Sequence, residues 1–137
     1  MNLISNKSAY CLAAVYELSK QPPGDYVQIR DIARNQKIPQ NYLEQLLSLL
    51  QKGGFVKSLR GAKGGYRLAL KPNQILIIDL LEHVEGPLEP VEPYGRSEVL
   101  RKFWKNTHSS IRQIFGQTLE DLLEQERNLQ KQLNYDI

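Results

Sequence analysis

A chain of 137 residues has room for about one domain, with a core that needs neither disulfides nor a metal to hold it. Hydrophobic residues at 41% and charged residues at 24% are the balance of a soluble globular protein, and no run approaches the roughly 18 consecutive apolar residues of a membrane-spanning helix. The net charge of +3 divides into +7 over residues 1–71 and −4 over residues 72–137, which points to a polyanion-binding module followed by a part that does not touch the polyanion.

The opening MNLISNKSAYCLAAVYEL has no basic stretch ahead of a long apolar core and no small-residue cleavage site, so a mature, cytoplasmic chain is expected. Apolar and small residues at helical spacing from Lys7 to Lys20, among them Tyr10, Ala13, Ala14 and Leu18, predict a first helix, which the prolines and glycine of QPPGD stop. Cys11 is the one cysteine of the chain. It has no partner for an internal disulfide, leaves no multi-cysteine metal site within one chain, and reads as a small core residue.

QIRDIARNQ spaces Ile29, Ile32 and Ala33 for a short second helix. KIPQ breaks it, and QNYLEQLLSLLQK is a third, with Pro39 setting its first turn and Gly53 and Gly54 capping its end. Leu43, Leu46, Leu47 and Leu50 form its apolar stripe, leaving Gln40, Asn41, Glu44, Gln45 and Ser48 on or near the other face. Two short helices joined by a tight turn read as helix-turn-helix, with an ordinary helical hairpin as the alternative.

The next segment favours the first reading. FVKSLR and GYRLAL alternate as two strands joined by GAKG, and a helix-turn-helix followed by such a ribbon is a winged helix. Gly61, Gly64 and Gly65 supply the positive φ angles of a tight hairpin and let backbone come close to a ligand. Arg60 and Lys63 fall at the tip and Arg67 on the returning strand, where cations reach phosphates or enter a narrow minor groove. A solvated basic hairpin is the plainer alternative. A nucleotide-binding loop is disfavoured, because GAKGGY lacks the Gly-Lys-Ser/Thr ending and leads into a strand.

NQILIIDLLEHVEG, residues 73–86, predicts a linker helix that packs Ile75, Ile78, Leu80 and Leu81 on the winged domain until Pro87, Pro90 and Pro93 stop it. From Ser97 a long helix carries Leu100, Phe103, Trp104, Thr107, Ile111, Ile114 and Phe115 on one face at three- and four-residue steps. One small winged domain cannot cover a face this aromatic, so the expectation is a two-fold homodimer that packs it against its own copy. Gly116 interrupts the helix, and TLEDLLEQE begins another with Thr118 as its cap and Glu120 and Asp121 in its first turn. The expected fold is mainly α with a small β-hairpin wing. Residues 1–71 are the winged helix-turn-helix domain, 72–96 the linker helix and proline-rich connection, 97–131 the dimerisation and C-terminal helices, and 132–137 a flexible tail.

NYLEQLLSLLQKGGFVKSLRGAKGGYRLA, together with LLEHVEGPL, resembles the Rrf-two family of bacterial winged helix-turn-helix transcription regulators, over residues 3 to about 124. The resemblance implies a dimeric repressor or activator, with the helix that holds Tyr42, Glu44 and Gln45 in the major groove and Arg60 in the minor groove. The expected DNA-binding set is Gln40, Asn41, Tyr42, Glu44, Gln45, Arg60, Lys63 and Arg67. Cluster-binding members of the family carry three cysteines between the EGP turn and the dimerisation helix, and here LEPVEPYGRSEVL has none. Carboxylates such as Glu92 and Glu98 are hard-oxygen donors poorly matched to an iron–sulfur cluster. His83 and His108 lack metal-binding neighbours, so no cofactor is expected.

The cysteine-free connection is like that of the CymR branch, which implies control of cysteine and sulfur metabolism by a signal other than a cluster. Asn134, Tyr135, Asp136 and Ile137 resemble the terminal peptides of serine acetyltransferases, whose isoleucine enters the active site of O-acetylserine sulfhydrylase (CysK). That likeness implies the sulfhydrylase as a docking partner. No nucleophile with a base at motif spacing, no paired acids and no cofactor loop speak for an enzyme. Two readings of function stand: a sequence-specific DNA-binding regulator, expected to repress from a palindromic operator, and a protein-binding adaptor on a winged-helix scaffold that no longer reads DNA.

Overall fold

The computed structural model describes residues 4–88 and 97–135. In chain order these form α1 (Asn6–Ser19), α2 (Ile29–Gln36), α3 (Gln40–Lys52), β1 (Val56–Leu59), β2 (Gly65–Leu68), a 3-10 turn (Pro72–Gln74), α4 (Ile77–Glu85), α5 (Glu98–Ile114) and α6 (Leu119–Tyr135). The mainly helical fold with one two-stranded wing is the one the sequence predicts.

The core is where the helical stripes converge. Cys11, Ala14 and Val15 of α1, Ile32 of α2, Leu43, Leu47 and Leu50 of α3 and Leu80 of α4 are fully buried. Burial of one of these leucine, isoleucine or valine side chains contributes about 1.5–3 kcal/mol, so the four-helix body is held by this cluster more than by its short helices' own propensities. Glu17 is buried among them. Its carboxylate accepts from Asn35 Nδ2 and Gln36 Nε2, each at 2.8 Å, which ties the last turn of α2 to α1. Lys37 then takes a left-handed conformation (φ 55°) and its N–H closes on the Ala33 carbonyl. Pro39 stands at the cap position just ahead of α3, so the turn between the two helices is short and fixed.

The start of α1 is satisfied from far along the chain. Glu85, the last residue of α4, accepts from the Ser5 amide (2.8 Å), the Ser5 hydroxyl and the Ser8 hydroxyl (2.6 Å). These hydroxyls and the amide hold the Glu85 carboxyl below its ordinary 4.5.

β1 and β2 pair antiparallel with Val56 opposite Leu68 and Leu59 opposite Gly65. The wing glycines have different duties. Gly61 (φ 111°) and Gly65 (φ 142°) take positive φ, whereas Gly64 does not; a Cβ on Gly64 would lie 2.1 Å from the Leu59 carbonyl oxygen, so close approach excludes a side chain there. Gly53 likewise makes room: a Cβ would meet His83 Nε2 at 2.6 Å, and that nitrogen lies 2.8 Å from the Leu49 carbonyl oxygen.

α5 carries no buried residue. Phe115, expected on its apolar face, packs instead against the core, and its carbonyl accepts from the Ile78 amide at 3.1 Å. The chain then turns at Gly116 into a reciprocal cap: the Asp121 amide donates to Thr118 Oγ1 (3.1 Å) and the Thr118 amide to Asp121 Oδ2 (2.9 Å). α6 returns to the body, with Leu119 fully buried and Glu126 accepting from Tyr16 of α1 and from Lys20, the residue that caps it. It runs helical to Tyr135, through Asn134, where a flexible tail was expected from residue 132. Asp136 and Ile137 lie outside the described residues, as do Pro90, Glu92 and Pro93 of the connection.

Candidate nucleic-acid interface

The burial of Leu43, Leu46, Leu47 and Leu50 turns the opposite face of α3 outward. Gln40, Asn41, Glu44 and Gln45 are exposed along it. Tyr42 is half-buried and sets its ring edge-on to Tyr10, with centroids 5.8 Å apart, so most of it serves the seat of the helix.

The wing is fastened beside this face by backbone. Val27, two residues ahead of α2, exchanges two hydrogen bonds with Tyr66 of β2, both 2.8 Å. Gly65 allows that approach, since a Cβ there would stand 2.2 Å from the Val27 carbonyl oxygen. Arg60 and Lys63 are exposed at the tip, and neither is held by a carboxylate among the described residues. Arg67 is differently placed: its guanidinium lies over the Tyr26 ring at 4.8 Å and donates to the Gly24 carbonyl at 3.3 Å. It braces the wing against the α1–α2 loop.

Between the N-termini of α2 and α3 and the wing backbone lies a groove of about 260 Å³, bordered by Gln28, Arg30, Gln40 and the wing glycines. Gln28 Nε2 reaches the Ala62 carbonyl across it at 3.5 Å. The structure therefore brings Gln40, Gly61 and Gly64 to one surface and adds Gln28 and Arg30, which sequence reasoning missed. The signal for Arg30 was a cation in the first turn of a helix, a position where carboxylates are favoured.

The second expected surface is the open face of α5. Leu100 is 49% exposed, Phe103 55% and Ile114 64%. Phe103 and Trp104 stack edge-on with centroids 5.0 Å apart, and Ile111 is half-buried. Val99, at 76% exposed, extends the same apolar surface. Tyr135, at the end of α6, is 91% exposed.

A helix-turn-helix with an open polar face, a cationic wing pinned beside it and a long helix with exposed apolar side chains is the architecture of a winged helix-turn-helix transcription regulator. Comparison with known proteins agrees. The family model "Rrf2: Iron-dependent Transcriptional regulator" matches residues 4–125. The HTH-type transcriptional regulator CymR of Bacillus subtilis (strain 168) is 37% identical over 121 residues, covering 87% of this chain and 88% of its own. Among solved structures, CymR (YrzC), the global cysteine regulator of B. subtilis, aligns with a TM-score of 0.80 at 37% identity over 89% of this chain and 96% of that one. IscR of T. potens aligns with a TM-score of 0.77 at 34% identity over 93% and 90%. The chain belongs to the Rrf2 family, and its fold and relatives are those of transcription regulators, not enzymes.

The family description names iron, and the donors of this chain do not fit a thiolate-bound cluster. Its one cysteine is fully buried in the core, where burial pushes the thiol up to about 11 against the opposing pull of Lys7; a thiol so placed is not a thiolate at neutral pH. Among the described residues no three His, Cys, Asp or Glu side chains gather as a metal site. His83 is engaged on Leu49, and His108 Nε2 accepts from Arg112 Nε at 3.0 Å.

Proposed function

We propose that the protein is a homodimeric, sequence-specific DNA-binding repressor that places α3 in the major groove and the wing tip in the neighbouring minor groove of each half of a palindromic operator. The observation that carries this reading is the groove that Gln40 of α3, Gln28 and Arg30 at the start of α2 and the wing glycines share, with Arg60 and Lys63 exposed on the wing. Glu44 suits a cytosine amino group in the major groove, and Gln40, Asn41 and Gln45 suit adenine edges or phosphates. Arg60 suits the negative potential of a narrow minor groove. The exposed apolar face of α5 supports the dimer, since a patch of this kind is otherwise an aggregation liability.

Control of cysteine or sulfur metabolism in the cytoplasm is supported by the likeness to a relative named the global cysteine regulator. The test of the DNA reading is binding to duplexes as salt is varied. Affinity should fall steeply with NaCl as condensed counterions are released; the adaptor reading predicts no duplex binding. For repression, a reporter behind the bound promoter should rise when the protein is deleted, and a fall would make it an activator. The sulfhydrylase is the proposed partner of the Asn134–Ile137 segment, for which the exposure of Tyr135 is the supporting observation. Removing the segment should abolish its binding, and equal binding by the shortened chain would overturn that partnership.

A further inference from the structure

Arg30 is held where neither α3 nor the wing tip accounts for it. The Val27–Tyr66 bridge fixes the chain just ahead of α2 against the base of the wing, and Gln28 spans from there to the Ala62 carbonyl. Arg30 follows in the first turn of α2, on backbone that cannot drift from the wing. It is exposed. The adjacent acid, Asp31, is engaged by Arg34 at 3.0 Å, and no ion pair holds Arg30 among the described residues. The groove it borders, with Gln28, Gln40, Gly61 and Gly64, has Arg30 as its cation and no carboxylate in its lining; Asp25 and Asp31 line a separate groove on which Arg30 also borders.

In B-form DNA a single sugar–phosphate strand separates the major groove from the neighbouring minor groove. With α3 in one and the wing tip in the other, that strand crosses the surface between Gln40 and Gly61. We propose that Arg30 clamps a backbone phosphate in this groove, its guanidinium fork donating to two phosphate oxygens while the Gln28 and Gln40 amides border the same phosphate and the wing glycines leave the strand room. The clamp reads no base. It adds the same affinity on any sequence while α3 and the wing straddle one strand. This inference rests on the DNA-reading function proposed above.

The test uses the full chain, a duplex that the wild-type protein enriches from a randomised pool, and a mixed-sequence duplex, each titrated over a range of NaCl. Arg30→Ala should weaken binding to both duplexes by the same factor, roughly tenfold, leave base preferences unchanged, and lower the slope of log K against log[NaCl] by about 0.9 per half-site. Arg30→Lys should keep the slope. When phosphates of the enriched duplex are replaced one at a time by neutral methylphosphonates, one backbone position per half-site should weaken the wild type and leave Arg30→Ala indifferent. If Arg30→Ala keeps the full salt slope and answers every methylphosphonate as the wild type does, or if its base preference changes, Arg30 is no phosphate clamp while the DNA-reading function stands. If the wild type binds no duplex in a salt-dependent way, both are overturned.

Discussion

Glu44 and Arg60 sit on the two halves of the proposed reading surface and should fail in different ways. Glu44→Ala should flatten the preference among operators substituted at one base pair, worth about 1–3 kcal/mol for a good base contact, whereas Arg60→Ala should weaken binding most where the minor groove is narrow. Competition binding against single-substitution duplexes separates the two, and unchanged preferences in Glu44→Ala would remove it from base reading. Glu85 has a different signature. Its carboxyl lies below 4.5 because it accepts from Ser5 and Ser8, so its stabilisation is present above that pH and is lost as pH falls through its lowered value. The melting temperature should therefore drop more between about pH 5 and pH 3 in the wild type than in Glu85→Gln; equal drops would mean that the tie to α1 carries no stability. At this scale the sequence shows which residues face outward on α3, because helical spacing alone determines that. It does not show that Glu17 is buried against Asn35 and Gln36, or that Arg67 leans on Tyr26, because those partners are distant in the chain and no local pattern encodes them.

The wing and α5 are the elements on which the proposed function turns. Gly65 combines a positive φ with a Val27 carbonyl where a Cβ would sit. Gly65→Ala should thus cost about 2 kcal/mol in backbone strain alone and detach the wing from α2, with loss of DNA affinity beyond what that stability change explains; chemical denaturation and duplex binding measured on one preparation check both. The hairpin itself is legible from its glycines and alternation. Its docking onto Val27 is not, since an isolated bridge leaves no pattern. For α5, Phe103→Ser with Trp104→Ser should give monomers whose winged body stays folded, because α5 contributes nothing to the buried core. Sedimentation should show half the mass, and a persisting dimer would place the interface elsewhere. The three- and four-residue spacing reveals this open face, but it does not show that the helix ends one residue before Phe115, which packs against the core.

For the molecule as a whole, the charge division between residues 1–71 and 72–137 already suggests which part would face a polyanion, and the structure sets Arg30 beside the wing glycines in one groove and beside Lys63 in another. The return of α6 is the large-scale feature the sequence conceals. Its capping box is local and readable, yet the burial of Leu119 and the hold of Glu126 on Tyr16 and Lys20 depend on how the turn at Gly116 aims the helix. Since α6 is tied to α1 and continues from α5, the proposed dimer through α5 would set two such surfaces in one relation. The most direct measurement is enrichment of duplexes from a fully randomised pool by the intact protein, followed by sequencing and footprinting. A two-fold reader predicts a palindrome whose half-site centres lie about 34–36 Å apart, or a multiple of that, with protection in successive major grooves. No enrichment, or enrichment of a site without two-fold symmetry, would contradict it.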